Sequence, residues 1–160
     1  MRADLLLIVL VLAAILTGLV AGISLDKCLV QLPARHRIGI RAFATFTRAN
    51  DLGNGLIVYP ALGVSAAVVT IAAALLSTSL RLPGMAAWAI YGSAVLAVLH
   101  SLTTMRAAPN LLMLRNPHNE EATMAAAFDR FAAWHAARTV LQVLNFLTLL
   151  WALFAFARPI

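Results

Sequence analysis

The sequence predicts an all-α protein: an up-down bundle of four membrane-spanning helices with a short interfacial helix in each of its two long connections. Three observations predict it. Apolar residues make up 62% of the 160 residues and charged ones only 11%, whereas about a quarter of a soluble domain is charged. Mean hydropathy is +0.91. The apolar residues fall into four runs of about 20, the length that crosses a bilayer as a helix. Four such spans with their connections use the whole chain, so residues 1–160 form one integral membrane domain.

The first span covers residues 5–25. Its apolar run is long for a signal sequence, and Val20-Ala21-Gly22 is a poor cleavage site, so it is read as retained. Ala14, Gly18 and Gly22, with Thr17 and Ala21 beside them, form a small-residue stripe suited to close helix contact. Pro33 is expected to end any helix that continues from this span. Residues 37–50 interleave arginines with Ile38, Ile40, Phe43 and Phe46, the pattern of a short amphipathic helix lying at a membrane surface. Residues 50–55, NDLGNG, read as a turn built from residues that tolerate left-handed backbone.

The second span covers residues 56–80, with Tyr59 and Pro60 in its first turn and a second small-residue stripe at Gly63, Ala67, Thr70, Ala74 and Ser77. Arg81, Pro83 and Gly84 make a tight turn into the third span, residues 85–104, where Ser93, Ala97, His100 and Thr104 share a face. Pro109 is expected to break the helix that follows. Residues 120–130 read as a helix that continues into the fourth span, residues 132–157.

Within that last stretch His135, Arg138, Thr139, Gln142 and Asn145 recur at steps of three and four and so lie on one helical face. Such groups are costly against lipid, so the face is expected to turn inward. In up-down order, the polar ends of the spans meet in one leaflet. Tyr59, His100, Thr104, Trp134, His135, Arg138, Gln142 and Asn145 gather there, with Asp51, Asn54 and Asn110 in the connections above. That asymmetry predicts an apolar pocket with a few convergent polar groups. The plainer alternative has Arg138 and His135 reaching headgroups while Gln142 and Asn145 bond across helices, at about 1 kcal/mol each.

The net charge of +6 is spread over connections and helix ends and does not mark a nucleic-acid surface. Eight Lys or Arg side chains fall in the long connections (Lys27, Arg35, Arg37, Arg41, Arg48, Arg106, Arg115, Arg130), against Arg2, Arg81 and Arg158 on the other side. This bias places both connections and the polar site on the cytoplasmic side of the membrane. The single cysteine, Cys28, excludes an internal disulfide, a CxxC pair and a thiolate zinc cluster. The small-residue stripes serve internal packing or a homo-oligomer equally well.

A neutral histidine is a general base near pH 7, and a buried arginine beside it stabilises an anion. Together, beneath an apolar cavity, they suit deprotonation of an acidic, hydrophobic aromatic. His135 or His100 is the candidate base, Arg138 and Asn110 the anion partners, and Tyr59 and Gln142 the orienting groups. A different class remains open: a haem- or quinone-binding protein in which His100 and His135 are ligands. So does a non-catalytic assembly partner.

Three stretches carry a family resemblance: NDLGNGLIVYPALG at residues 50–63, TTMRAAPNLLML at 103–114 and WHAARTVL at 134–141. They resemble the anthrone oxygenase-like family of small four-helix membrane proteins, over nearly the whole chain. Pro109-Asn110 and the Trp134, His135 and Arg138 group are the most specific parts. The resemblance implies a polar core at the matching Asn, His and Arg positions. It also implies cofactor-independent oxidation of an anthrone-type substrate, a hydrophobic small molecule taken from the bilayer.

Overall fold

In a computed structural model that describes residues 2–82 and 84–157, every regular element is helical. Pro83 and Arg158, which entered the turn and the charge count, lie outside the described residues. The order is α1 (Arg2–Asp26), a π-helical turn (Lys27–Gln31), α2 (Leu32–Ile38), α3 (Ile40–Ala49), a second π turn (Asn50–Asn54), α4 (Gly55–Ser79), α5 (Gly84–Leu112), a 3₁₀ turn (Met113–Arg115) and α6 (Glu121–Ala157). Four continuous helical segments are long and apolar enough to cross a membrane: Arg2–Ile38, Ile40–Ser79, Gly84–Arg115 and Glu121–Ala157. They pack in a closed ring, α5 along α6, α6 against α1, α1 against α4 and α4 against α5.

The small residues do two different jobs. On α1, Ala13, Ala14, Thr17, Val20, Ala21 and Ser24 are buried at helical spacing, and a Cβ on Gly18 would stand 2.9 Å from the Phe146 ring. Gly22, expected in the same stripe, faces outward with nothing near it, because the contact face runs through positions 17, 20, 21 and 24. On α4 the lower stripe (Thr70, Ala74, Ser77) is buried packing, while Gly63 and Ala67 line a cavity. An apolar core of Leu6, Leu10, Ala73, Ile90 and Leu149, among others, fills the ring at one end.

The other end is closed by α3. Phe43, Ala44 and Thr47 are its buried face, and the Phe43 ring sits 4.9 Å from that of Phe128 on α6. Three arginines fasten the cap: Arg35 Nη2 to Asp129 at 2.7 Å, Arg41 Nε to Glu121 at 3.1 Å, and Arg48 Nη1 to the Leu114 carbonyl at 3.3 Å. Gly39 joins α2 to α3 at φ 87°, a conformation glycine takes without strain. The amphipathic helix expected around residues 37–50 is therefore present and packed on α6.

Several boundaries differ from the sequence expectation. Pro33 does not end the helix: it stands in the first turn of α2, directly after the π turn Lys27–Gln31, and the chain stays helical through both. Pro109 lies inside α5 rather than after it, one turn from the end. Pro60 lies inside α4, beyond its first turn, because the helix starts at Gly55. Residues 50–55 stay helical through a kink at Gly53, and none is left-handed. Gly55 is required there by space, since a Cβ would stand 2.8 Å from the Asn50 carbonyl oxygen. The second long connection has no separate interfacial helix. With no Gly or Pro between Glu121 and Ala157, its second half is the opening of α6. At 37 residues, α6 is about 55 Å long, well beyond the roughly 30 Å of a bilayer core. Its first turns thus extend past the apolar length and carry the charges that hold α3.

Candidate functional site

Between the apolar core and the α3 cap lies a cavity of 540 Å³, lined by all four long helices. The inward face of α6 builds one wall. Phe131, His135, Thr139, Gln142 and Asn145 are all buried, as steps of three and four along an unbroken helix require. Phe131, His135, Arg138 and Gln142 reach the cavity; from α5 come His100, Ser101 and Thr104, from α4 Tyr59, and from the π turns Lys27 and Asp51.

His135 is the best-tied of these groups. Arg138 Nη2 donates to its Nδ1 at 2.6 Å, and its Nε2 lies 3.2 Å from the Ser24 carbonyl of α1. A guanidinium only donates and a carbonyl only accepts, so Nδ1 is the bare nitrogen and Nε2 carries the proton. Thr139 also approaches the Ser24 carbonyl, at 3.4 Å, and the imidazole stacks on Phe131 with centroids 5.2 Å apart and planes at 20°. Both nitrogens of His135 are thereby engaged. His100 is different: it is buried, yet its Nδ1 has no hydrogen-bond partner. Of the two candidate bases, His100 is the one with a nitrogen to spare.

Two more cavity-lining side chains carry unpaired buried atoms, Arg138 Nε and Gln142 Oε1. The three residues that carry these atoms border one chamber. An unsatisfied buried polar atom costs about 1–3 kcal/mol, a cost that a ligand recovers when these side chains turn toward it.

Lys27 and Asp51 form an ion pair with side chains only 7% and 2% exposed. Sequence reasoning placed Asp51 here but left Lys27 in the connection. The missed signal is that Val20, Ser24 and Lys27 continue one helical face once the helix is carried past Asp26.

Four predicted residues stand elsewhere. Asn145 is buried but bonded to the Ser93 hydroxyl of α5, a cross-helix tie away from the cavity. Trp134 is 42% exposed on the outside of α6, one residue and so about 100° round from His135. Asn54 is exposed at the second π turn. Asn110 donates to the Arg106 carbonyl one turn back on its own helix and does not line the cavity. Among the described residues no three His, Cys, Asp or Glu side chains cluster as metal ligands. The haem alternative, which needs a free nitrogen on both His100 and His135, does not fit the engaged His135. No family model, curated protein or solved structure matches the chain.

Proposed function

We propose that this chain is an up-down four-span bilayer protein that binds a hydrophobic, acidifiable aromatic in the cavity and oxidises it with molecular oxygen. The observation that carries this reading is that His100, Arg138 and Gln142, each with a buried polar atom that lacks a partner, border one chamber walled largely by apolar side chains. A volume of 540 Å³ is within the usual range for small-molecule pockets. The anthrone-type resemblance supplies the substrate class, a fused aromatic with an acidic CH₂ across the central ring from a carbonyl and conjugated with it through the flanking rings.

In this scheme His100 removes a proton from the acidic carbon. The resulting enolate oxygen faces Arg138, whose charge favours the anion. The carbanion gives its electron pair to oxygen and a C–O bond forms, leaving a hydroperoxide once the proton returns. The O–O bond then breaks with loss of water, so the CH₂ becomes C=O and one O₂ becomes one carbonyl oxygen and one H₂O. His135 holds Arg138 in place and ties α6 to α1. Asn110, outside the cavity, takes no part in this arrangement.

Oxygen consumption by purified protein in lipid nanodiscs, with anthrone as substrate, tests the proposal. The expected result is uptake above the uncatalysed rate that falls about 10²–10⁴-fold in His100→Gln, the usual contribution of a general base. Uptake that His100→Gln leaves unchanged would sink the assignment of the base. No uptake with any anthrone-type phenol would sink the reaction.

A further inference from the structure

The charges that face the cavity do not balance. Lys27 and Arg138 bring two positive charges and Asp51 one negative. Lys27 is paired with Asp51. Among the described residues no carboxylate forms an ion pair with Arg138; its one cavity-side contact is the bare nitrogen of His135, a neutral acceptor, and its Nε is buried and unpaired. Asp51 attracts Arg138 as well as its partner Lys27, so two cations at the cavity share one carboxylate. One negative charge is missing from the site.

The opposite wall shows what would carry it. Val64, Val68, Ile71 and Met105 line the cavity and are 62%, 58%, 38% and 70% exposed. Gly63 stands among them with nothing within 4 Å of where a Cβ would be. The cavity is therefore bounded on its α4 and α5 side by apolar groups with much of their surface uncovered.

We propose that the cavity takes an amphiphilic monoanion from the surrounding lipid, its single charged oxygen on Arg138 and its apolar body along α4 and α5. This rests on the reading of the chain as a bilayer protein with an anion at Arg138, but it requires no turnover. It ranks molecules with one negative charge, whether carboxylate or phenolate, above dianions and above neutral aromatics, which meet Arg138 as anions only once they lose a proton.

Binding of anthracene-9-carboxylate and of neutral 9-anthracenemethanol to protein in phosphatidylcholine nanodiscs, followed by probe fluorescence, tests this directly. The anion is expected to bind at least tenfold more tightly, and dodecanoate to displace it. Arg138→Gln should erase the preference, whereas Arg138→Lys should keep most of it. Equal affinity for both probes in the parent protein, or no binding of either, would overturn the proposal. A preference that survives in Arg138→Gln would overturn it too, and the parent ratio decides should that variant not fold. Oxygen uptake measured on the same samples separates the two readings. Charge-selective binding without uptake removes the oxygenase and leaves this site standing; uptake without charge selectivity does the reverse.

Discussion

His135 and His100 are both buried histidines on the cavity wall, and the structure gives them opposite duties. Replacing each by alanine therefore has a distinct expected outcome. His135→Ala deletes a hydrogen bond to a charged group, worth about 1.5–3 kcal/mol in a protein interior. It deletes the tie to the Ser24 carbonyl, for which cross-helix bonds in membranes average about 0.6 kcal/mol. It also removes the stack on Phe131, worth about 0.5–1.5 kcal/mol, and leaves Arg138 with a further unpaired donor. The low ends of these ranges already give a loss of about 2.5 kcal/mol. His100→Ala removes a ring whose Nδ1 has no partner and which borders existing empty space. Its loss deletes an unsatisfied atom along with some packing, so a change within about 1 kcal/mol is expected.

Reversible unfolding in dodecylmaltoside–SDS mixed micelles, followed by tryptophan fluorescence, measures both. Ligand binding and oxygen uptake on the same proteins should show the inverse order once His135→Ala is compared at a temperature where it is folded: His100→Ala loses turnover while staying folded. If His100→Ala proves as destabilising as His135→Ala, the division into a positioning histidine and a reactive one is wrong.

Three further perturbations follow from the same geometry. Gly55→Ala forces a Cβ to within 2.8 Å of a backbone oxygen, whereas Gly18→Ala meets only a phenyl ring that can turn; the former should lower the unfolding midpoint markedly and the latter little, in the same mixed-micelle assay. Phe43→Ala empties the contact between α3 and Phe128, a change that costs about 3–5 kcal/mol in a packed core, and should speed trypsin cleavage at Arg37 and Arg41; unchanged protection would show that the cap is held by its arginines instead. Lys27→Met should cost about 3–5 kcal/mol by stranding Asp51, while Lys27→Met/Asp51→Leu should recover most of that; a double variant no better than the single would mean the pair is not an isolated unit.

What the sequence makes legible follows from where the physics is local. The inward face of α6 needs only the 3.6-residue period and the cost of polar groups in lipid, and His135, Thr139, Gln142 and Asn145 are all buried as that predicts. Which of them meets the cavity is not local. Asn145 is diverted to Ser93, a partner 52 residues away, and no spacing rule on α6 reveals it. The prolines misled for a related reason. A proline removes one backbone donor and adds one clash, and the remaining ladder of a long packed helix tolerates this at Pro60 and Pro109. Ending the first span at Leu25 left Lys27 among the connection residues, whereas the helix runs on through it.

That reassignment of Lys27 bears on orientation in the membrane. Charge bias orients a membrane protein through residues that stay in water on one side, and a lysine with a 7% exposed side chain paired to Asp51 is not one of them. Arg35 is likewise buried, against Asp129. Setting both aside leaves Arg37, Arg41, Arg48, Arg106, Arg115 and Arg130 near the capped end, against Arg2 and Arg81 among the described residues at the other. The bias survives the correction and so favours, in the proposed bilayer arrangement, a cap on the cytoplasmic side. Cysteines placed at Arg41 and Arg81 would be labelled from opposite faces of sealed vesicles on this reasoning. Labelling of both from the same face would reverse the topology and, with it, the leaflet from which an anionic ligand reaches Arg138.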